Sequence, residues 1–172
     1  MYIRTLQAGD ADALLAFELA NRSWFERSVE ARAPEFYTVP GVRLHIAAYL
    51  DDYRHGRMHP CVMLGEDGAI IGRANLRYID TAAGNAEVGY RVAHARVGQG
   101  LASAALRHLQ RLAVDEWKLS RLQAWVASGN PASARVLEKH GFRKVPGMPP
   151  QSAAIGEALR ESFLYECELS AL

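Results

Sequence analysis

The segment Val97-Gly98-Gln99-Gly100-Leu101-Ala102 stands between an alternating stretch and the strongest helical pattern of the chain. A helix N-terminus presents unpartnered N–H groups and the positive end of the helix dipole. Glycines ahead of it let a phosphate come up against the backbone. The chemistry on offer is therefore the binding of a phosphorylated ligand. Two other phosphate loops fit poorly. A Walker A loop needs Gly-Lys-Ser/Thr where Gly100-Leu101-Ala102 stands, so both its lysine and its magnesium hydroxyl are missing. A dinucleotide loop needs a third glycine where Ser103 stands, and it should follow the first strand of a βαβ unit.

The elements around this loop follow from periodicity. Residues 2–6 read as a strand, and Asp10 as the N-cap of a helix from Ala11 to about Arg22. Trp24 and Phe25 open a less regular stretch, Pro34 and Pro40-Gly41 punctuate a loop, and a second helical face runs from Leu44 to near Gly56. The period then drops to two. Strands are expected at 59–64, 69–79 and 86–93, with Glu66-Asp67-Gly68 as a hairpin turn, so 51–93 reads as an antiparallel meander. After the glycine loop, Ala102, Ala105, Leu106, Leu109, Leu112 and Ala113 form one continuous helical face. Residues 119–127 form another strand. Asn130-Pro131 opens a shorter helix that ends at His140 with Gly141 behind it. Residues 142–145 are a brief strand, 146–150 a loop and 160–169 a final strand. This mixed order predicts one α/β (α+β) domain over 1–172, built on a mixed sheet.

Composition agrees. The chain has 172 residues, 49% hydrophobic and 23% charged, with a formal charge of +1; this is ordinary globular usage and lacks the basic footprint of a nucleic-acid binder. Cys61 and Cys167 make no disulfide framework and are expected as reduced thiols on strands. No signal peptide and no membrane-length apolar run is read, so a cytoplasmic setting is expected. His55 and His59 have the i, i+4 spacing of helical metal ligands, but Gly56 and Pro60 argue against a helix there, and no metal is expected.

Three segments together carry a resemblance: Glu87-Val-Gly-Tyr-Arg-Val-Ala, the glycine loop, and Asn130-Pro-Ala-Ser-Ala-Arg-Val-Leu-Glu-Lys-His-Gly-Phe142. They look like the GNAT superfamily of acyl-CoA-dependent N-acyltransferases, and more narrowly its Rim-type (RimJ/RimL-like) branch, which acetylates N-terminal amines of ribosomal proteins and related substrates. The family's pyrophosphate signature is Gln/Arg-x-x-Gly-x-Gly/Ala. Here Val97 holds the first position, and Arg96, one residue early, is the candidate substitute.

The resemblance implies a mostly antiparallel sheet of six or seven strands flanked by helices. By that resemblance acetyl-CoA would lie between the splayed strands 86–93 and 119–127. The cofactor would meet the strand at Tyr90, Arg91 and Val92, the loop at Val97, Gly98, Gln99, Gly100, Leu101 and Ala102, and the second helix start at Asn130 and Ser133. Backbone groups near Tyr90 and Arg91 would steady the developing oxyanion, and Gly89 would mark a bulge. Ser133 falls where Rim-type enzymes place a hydroxyl near the thioester sulfur. Glu87 and Glu161 are the candidate bases, Glu161 alternatively a substrate anchor, while Tyr90 and Tyr165 read as packing rather than acid catalysts. The implied function is acetyl transfer from acetyl-CoA to a primary amine, foremost a protein N-terminal α-amine. The alternatives are a small-molecule amine (polyamine, amino acid or antibiotic) or a non-catalytic acyl-CoA-binding module. Trp24, Phe25, Phe36 and Tyr37 are candidates for lining the acceptor side; the sequence does not fix the oligomeric state, and a homodimer enters only as the commonest closed assembly.

Overall fold

A computed structural model describes residues 1–155 and 158–169. The chain opens with β1 (Tyr2–Thr5), α1 (Ala11–Ala20), a short α2 (Arg22–Phe25) and α3 (Val39–Arg54). A meander follows: β2 (Met58–Leu64), β3 (Ile70–Asp80) and β4 (Asn85–Val92). Then come α4 (Leu101–Asp115), β5 (Arg121–Ala127), α5 (Pro131–Lys139), β6 (Arg143–Lys144), β7 (Gln151–Ile155) and β8 (Ala158–Glu168). The strands join one sheet in the order β1-β2-β3-β4-β5-β8-β6, with β7 on β8. Among the described residues only β4 and β5 pair in parallel.

Both faces of the sheet are covered, which is why every residue of β2 is buried. Cys61 and Met63 point into a core shared with the apolar stripe of α4, namely Leu101, Ala105, Leu106, Leu109, Leu112 and Ala113. Val62 and Leu64 point the other way, against Leu14 and Phe17 of α1 and Val42 and Ile46 of α3. Both cysteines are free, buried and on strands.

Four expectations change. Among the described residues the sheet has eight strands, because 151–155 pair with β8 although no alternation marks them. Pro40-Gly41 is no loop. It forms the first turn of α3, where proline's missing N–H costs nothing, and the Thr38 hydroxyl caps the helix by accepting from the Gly41 N–H at 3.1 Å. The first helix ends at Ala20, and Arg22 belongs to α2. No bulge occurs at Gly89, which pairs in register with Asn75; the register shift lies between Arg77 and Asp80, where Tyr78 takes a positive φ of 51°. A side chain at Gly89 would instead press on the Arg77 guanidinium, at 3.3 Å. No helix among the described residues is long and apolar enough to cross a membrane.

Candidate active site

β4 and β5 pair only from Asn85 to Glu87 and from Arg121 to Gln123. Beyond that point they splay, and from Val88 onward the β5-facing edge of β4 has no strand partner among the described residues. The opening between them holds two adjoining cavities of about 680 Å³ and about 190 Å³.

The larger, outer cavity is framed by two helix starts. Gly100 caps α4 in the left-handed region (φ +78°), Gly98 adopts φ +81°, and a Cβ at either would meet nothing within 4 Å. No side chain caps α4, so its first N–H groups remain available to an anion. Arg91, Arg96, Arg135 and Lys139 also line this cavity. A backbone cradle with four cations and, among the described residues, no acidic residue on its wall fits the phosphates of a CoA-type ligand. Arg135 and Lys139 were missed by the sequence reading, although their i, i+4 spacing behind the Asn130 cap could have found them.

At the second helix start, Asn130 caps α5 and its Oδ1 accepts from the Ser133 N–H at 3.1 Å. This turns the Ser133 hydroxyl to the Tyr90 hydroxyl, 3.0 Å away. Burial raises the Tyr90 pKa, and the Ser133 hydrogen bond only partly opposes this, so the phenol stays protonated at neutral pH. Tyr90, Arg91, Asn130 and Ser133 line both cavities and mark their junction.

The smaller, inner cavity is polar. Arg73, Asn75 and Arg77 line it from alternate positions of β3, with Arg91 from β4, Arg32 from the irregular segment between α2 and α3, and Tyr49 from α3. Behind this wall, the buried Glu18 of α1 accepts from Arg73 Nη1 at 2.6 Å and Arg91 Nη1 at 3.5 Å, with Arg32 Nε at 4.0 Å. Burial brings the Arg91 pKa down to about 10, against the opposing pull of Glu18. Arg73 Nη2 donates to His45 Nε2 at 2.8 Å, since a guanidinium can only donate. Burial and then the charges of Arg73, Arg32 and Arg91 push the His45 pKa down to about 2.

Most of the expected contact residues thus gather at the outer cavity: Tyr90, Arg91 and Val92 on the strand, Val97, Gly98, Gly100, Leu101 and Ala102 on the loop, and Asn130 and Ser133. Trp24 and Phe25 wall it as well. Gln99 does not line it. Its amide donates to the Ala95 carbonyl at 3.4 Å and its Oε1 accepts from Arg96 at 3.5 Å. The two candidate bases are not brought to either wall. Glu87 lies one step before the splay and pairs with Arg77. Glu161 is exposed on β8, and its backbone carbonyl accepts from the Ser128 N–H. His59 faces the core from β2, and His55 caps α3.

A cleft between splayed strands, with an anion cradle on one side and a hydroxyl pair at its centre, is the arrangement of an acyl-CoA-dependent acyltransferase. Comparison with known proteins gives the family. Residues 1–143 match the acetyltransferase (GNAT) domain, and the chain belongs to this family. The Bacillus subtilis protein named "Probable N-acetyltransferase YjcK" is 35% identical over 146 residues, 84% of this chain and 81% of that one. Mycobacterium smegmatis RimJ, in complex with CoA-disulfide, is 26% identical with a TM-score of 0.84, covering 96% of this chain and 80% of that chain. The ribosomal-protein-S5-alanine acetyltransferase of Vibrio fischeri shares the fold at a TM-score of 0.89 and 20% identity, over 98% and 92% of the two chains. The protein is an N-acetyltransferase, and its co-substrate is acetyl-CoA.

Proposed function

We propose that the protein acetylates the N-terminal α-amine of a polypeptide by direct transfer, with acetyl-CoA and acceptor bound together. The observation that carries this reading is the cleft wall, which among the described residues presents arginines and no carboxylate. Attack requires a neutral amine. An α-amine titrates near about 7.7–8.0 and a lysine-type amine near about 10.4. Neighbouring guanidiniums push any ammonium further toward its neutral form. An α-amine in this cleft therefore reaches its reactive state without a base on the wall, whereas a polyamine would set several cations against the arginines.

Acetyl-CoA supplies the activated acetyl group. The ammonium first loses one proton to water in the cleft; the neutral nitrogen then attacks, the N–C bond forms and the C–S bond breaks, the nitrogen sheds its second proton to water, and the departing thiolate takes one. Ser133 donates that proton, replenished from Tyr90 across their 3.0 Å hydrogen bond, and Tyr90 regains its own from the cleft water that took up the nitrogen's proton. Glu87 is a positioning residue that holds Arg77 against the inner cavity. Glu161 carries no step.

The test is acetylation of a free-N-terminal peptide, followed by mass spectrometry with an N-terminally blocked peptide as control. Ser133→Ala should lower kcat by about 10²-fold, within the range of lost general acid catalysis. Glu87→Gln should lower kcat/KM less than about tenfold and leave the pH profile in place. A loss of about 10²–10⁴-fold would make Glu87 the base instead. Equal acetylation of the blocked peptide through a lysine would overturn the N-terminal reading.

A further inference from the structure

The inner cavity has a charge surplus that the transfer chemistry does not use. Arg32, Arg73, Arg77 and Arg91 line it, and the carboxylates that touch them are Glu18 and Glu87. Four guanidiniums thus share two carboxylates, and the neighbouring His45 is neutral. Cations held partly out of water are costly unless they are paired.

The unpaired capacity belongs to residues that line the cavity. Arg32 donates no hydrogen bond among the described residues; its guanidinium stacks on the Phe36 ring at 4.2 Å and reaches Glu18 only at 4.0 Å. Arg91 has one long bond, at 3.5 Å. The Nε atoms of Arg32 and Arg77 and the Oδ1 of Asn75 are buried without partners. The wall therefore carries positive charge and guanidinium donors for an anion. At about 190 Å³ the cavity is smaller than the ~300–1,000 Å³ of sites that hold a whole small molecule, so it suits a residue-sized part of a larger acceptor.

We propose that the acceptor brings a carboxylate within about one residue of its reactive amine, and that the arginines of the inner cavity select it. The proposal rests on the N-terminal acetyltransferase reading and narrows it. The amine meets the thioester at the Tyr90–Ser133 junction, and the adjoining acidic side chain reaches inward toward Arg32, Arg77 and Arg91. A polypeptide N-terminus with an acidic residue beside the amine fits better than a free amino acid, because an α-carboxylate bonded next to the amine would raise the amine's pKa.

The experiment measures kcat/KM with the full chain at saturating acetyl-CoA. The acceptors are two peptides of equal length, one beginning Ala-Asp-Glu and one Ala-Lys-Lys, together with free glutamate and spermidine. The acidic peptide should exceed the basic one by at least about tenfold, and the gap should narrow as salt screens the charges. Arg32→Gln should collapse that ratio through the KM of the acidic peptide. If the basic peptide equals or beats the acidic one, the carboxylate selection is overturned while N-terminal transfer stands. If spermidine beats both peptides, both readings fall. If free glutamate beats both peptides, the selection stands and the polypeptide acceptor falls. If no amine is acetylated, both readings fall.

Discussion

Gly100 holds a conformation that only glycine adopts without penalty, at φ +78°, and faces open space at the head of α4. Glutamate there has room but costs about 1–2 kcal/mol of left-handed backbone strain, and it places a carboxylate where phosphate oxygens should sit. Gly100→Glu should therefore fold while losing acetyl-CoA. In the unaltered protein, acetyl-CoA at about 100 times its Kd should add ~2.7 kcal/mol, a rise in Tm of about 5–10 °C for a domain of this size. The variant should show almost none of it by thermal unfolding, and a full rise would remove the loop from phosphate binding. This half of the site was legible because glycines, cap residues and a helix start lie together in sequence. The inner arginines were not. Arg32, Arg73 and Arg91 come from an irregular segment and two strands, and only the β3–β4 register and the packing of α1 bring them to one carboxylate. A partial signal existed in Arg73, Asn75 and Arg77, a polar stripe at strand spacing inside an otherwise apolar run.

At the scale of elements, one buried carboxylate joins three of them. Glu18 on α1 is 1% exposed, and it holds Arg73 of β3 and Arg91 of β4. The helix that carries it was readable from its apolar period, but its partner across the sheet was not, because nothing local distinguishes Glu18 from a solvated helix residue. The hydrogen-bonded length of β4 against β5 was equally hidden, since splaying leaves no mark in the alternation of Val88, Tyr90 and Val92. Long periodic elements such as α4 and the meander were recovered. The short β7 was not, because Gln151–Ile155 owes its strand form to β8 rather than to its own pattern. Glu18→Gln removes the charge and keeps the shape, leaving Arg73, itself 3% exposed, without its counter-charge. Breaking one side of such a pair costs about 3–5 kcal/mol. Urea unfolding should show that loss, and a change below about 1 kcal/mol would mean that the arginines are neutralised by other means.

The whole molecule stores a pH dependence in its histidines. His59 sits between β1 and the end of α4. Trp117 Nε1 donates to its Nδ1 at 3.0 Å, so the proton is on Nε2, which donates to the Thr5 hydroxyl at 2.9 Å. Glu116 lies 3.8 Å from Nδ1 but faces a neutral ring and forms no ion pair. Burial, with a smaller push from His108, lowers the His59 pKa to about 4. His45 is lowered further, to about 2, by burial and its arginine neighbours. Both values lie below the roughly 6.5 of an unfolded histidine. Between about pH 6.5 and 4 the unfolded chain therefore binds more protons than the folded one, and stability falls as pH falls. The His59 share is complete above pH 6.5 and exhausted near its folded pKa of about 4, while the His45 share continues to drain toward about 2. From pH 7 to pH 5 the loss should be about 1–2 kcal/mol for each of these two rings. His108 and His140 are also held down, each by burial first and then by neighbouring cations, and they act in the same direction. His59→Gln keeps a polar group in the Thr5–Trp117 gap without a titrating ring. It should unfold more easily at pH 7 yet lose less stability on going to pH 5. Urea unfolding at the two pH values reads both quantities, and a wild-type midpoint that does not move between them would show that these rings take up protons without unfolding the protein.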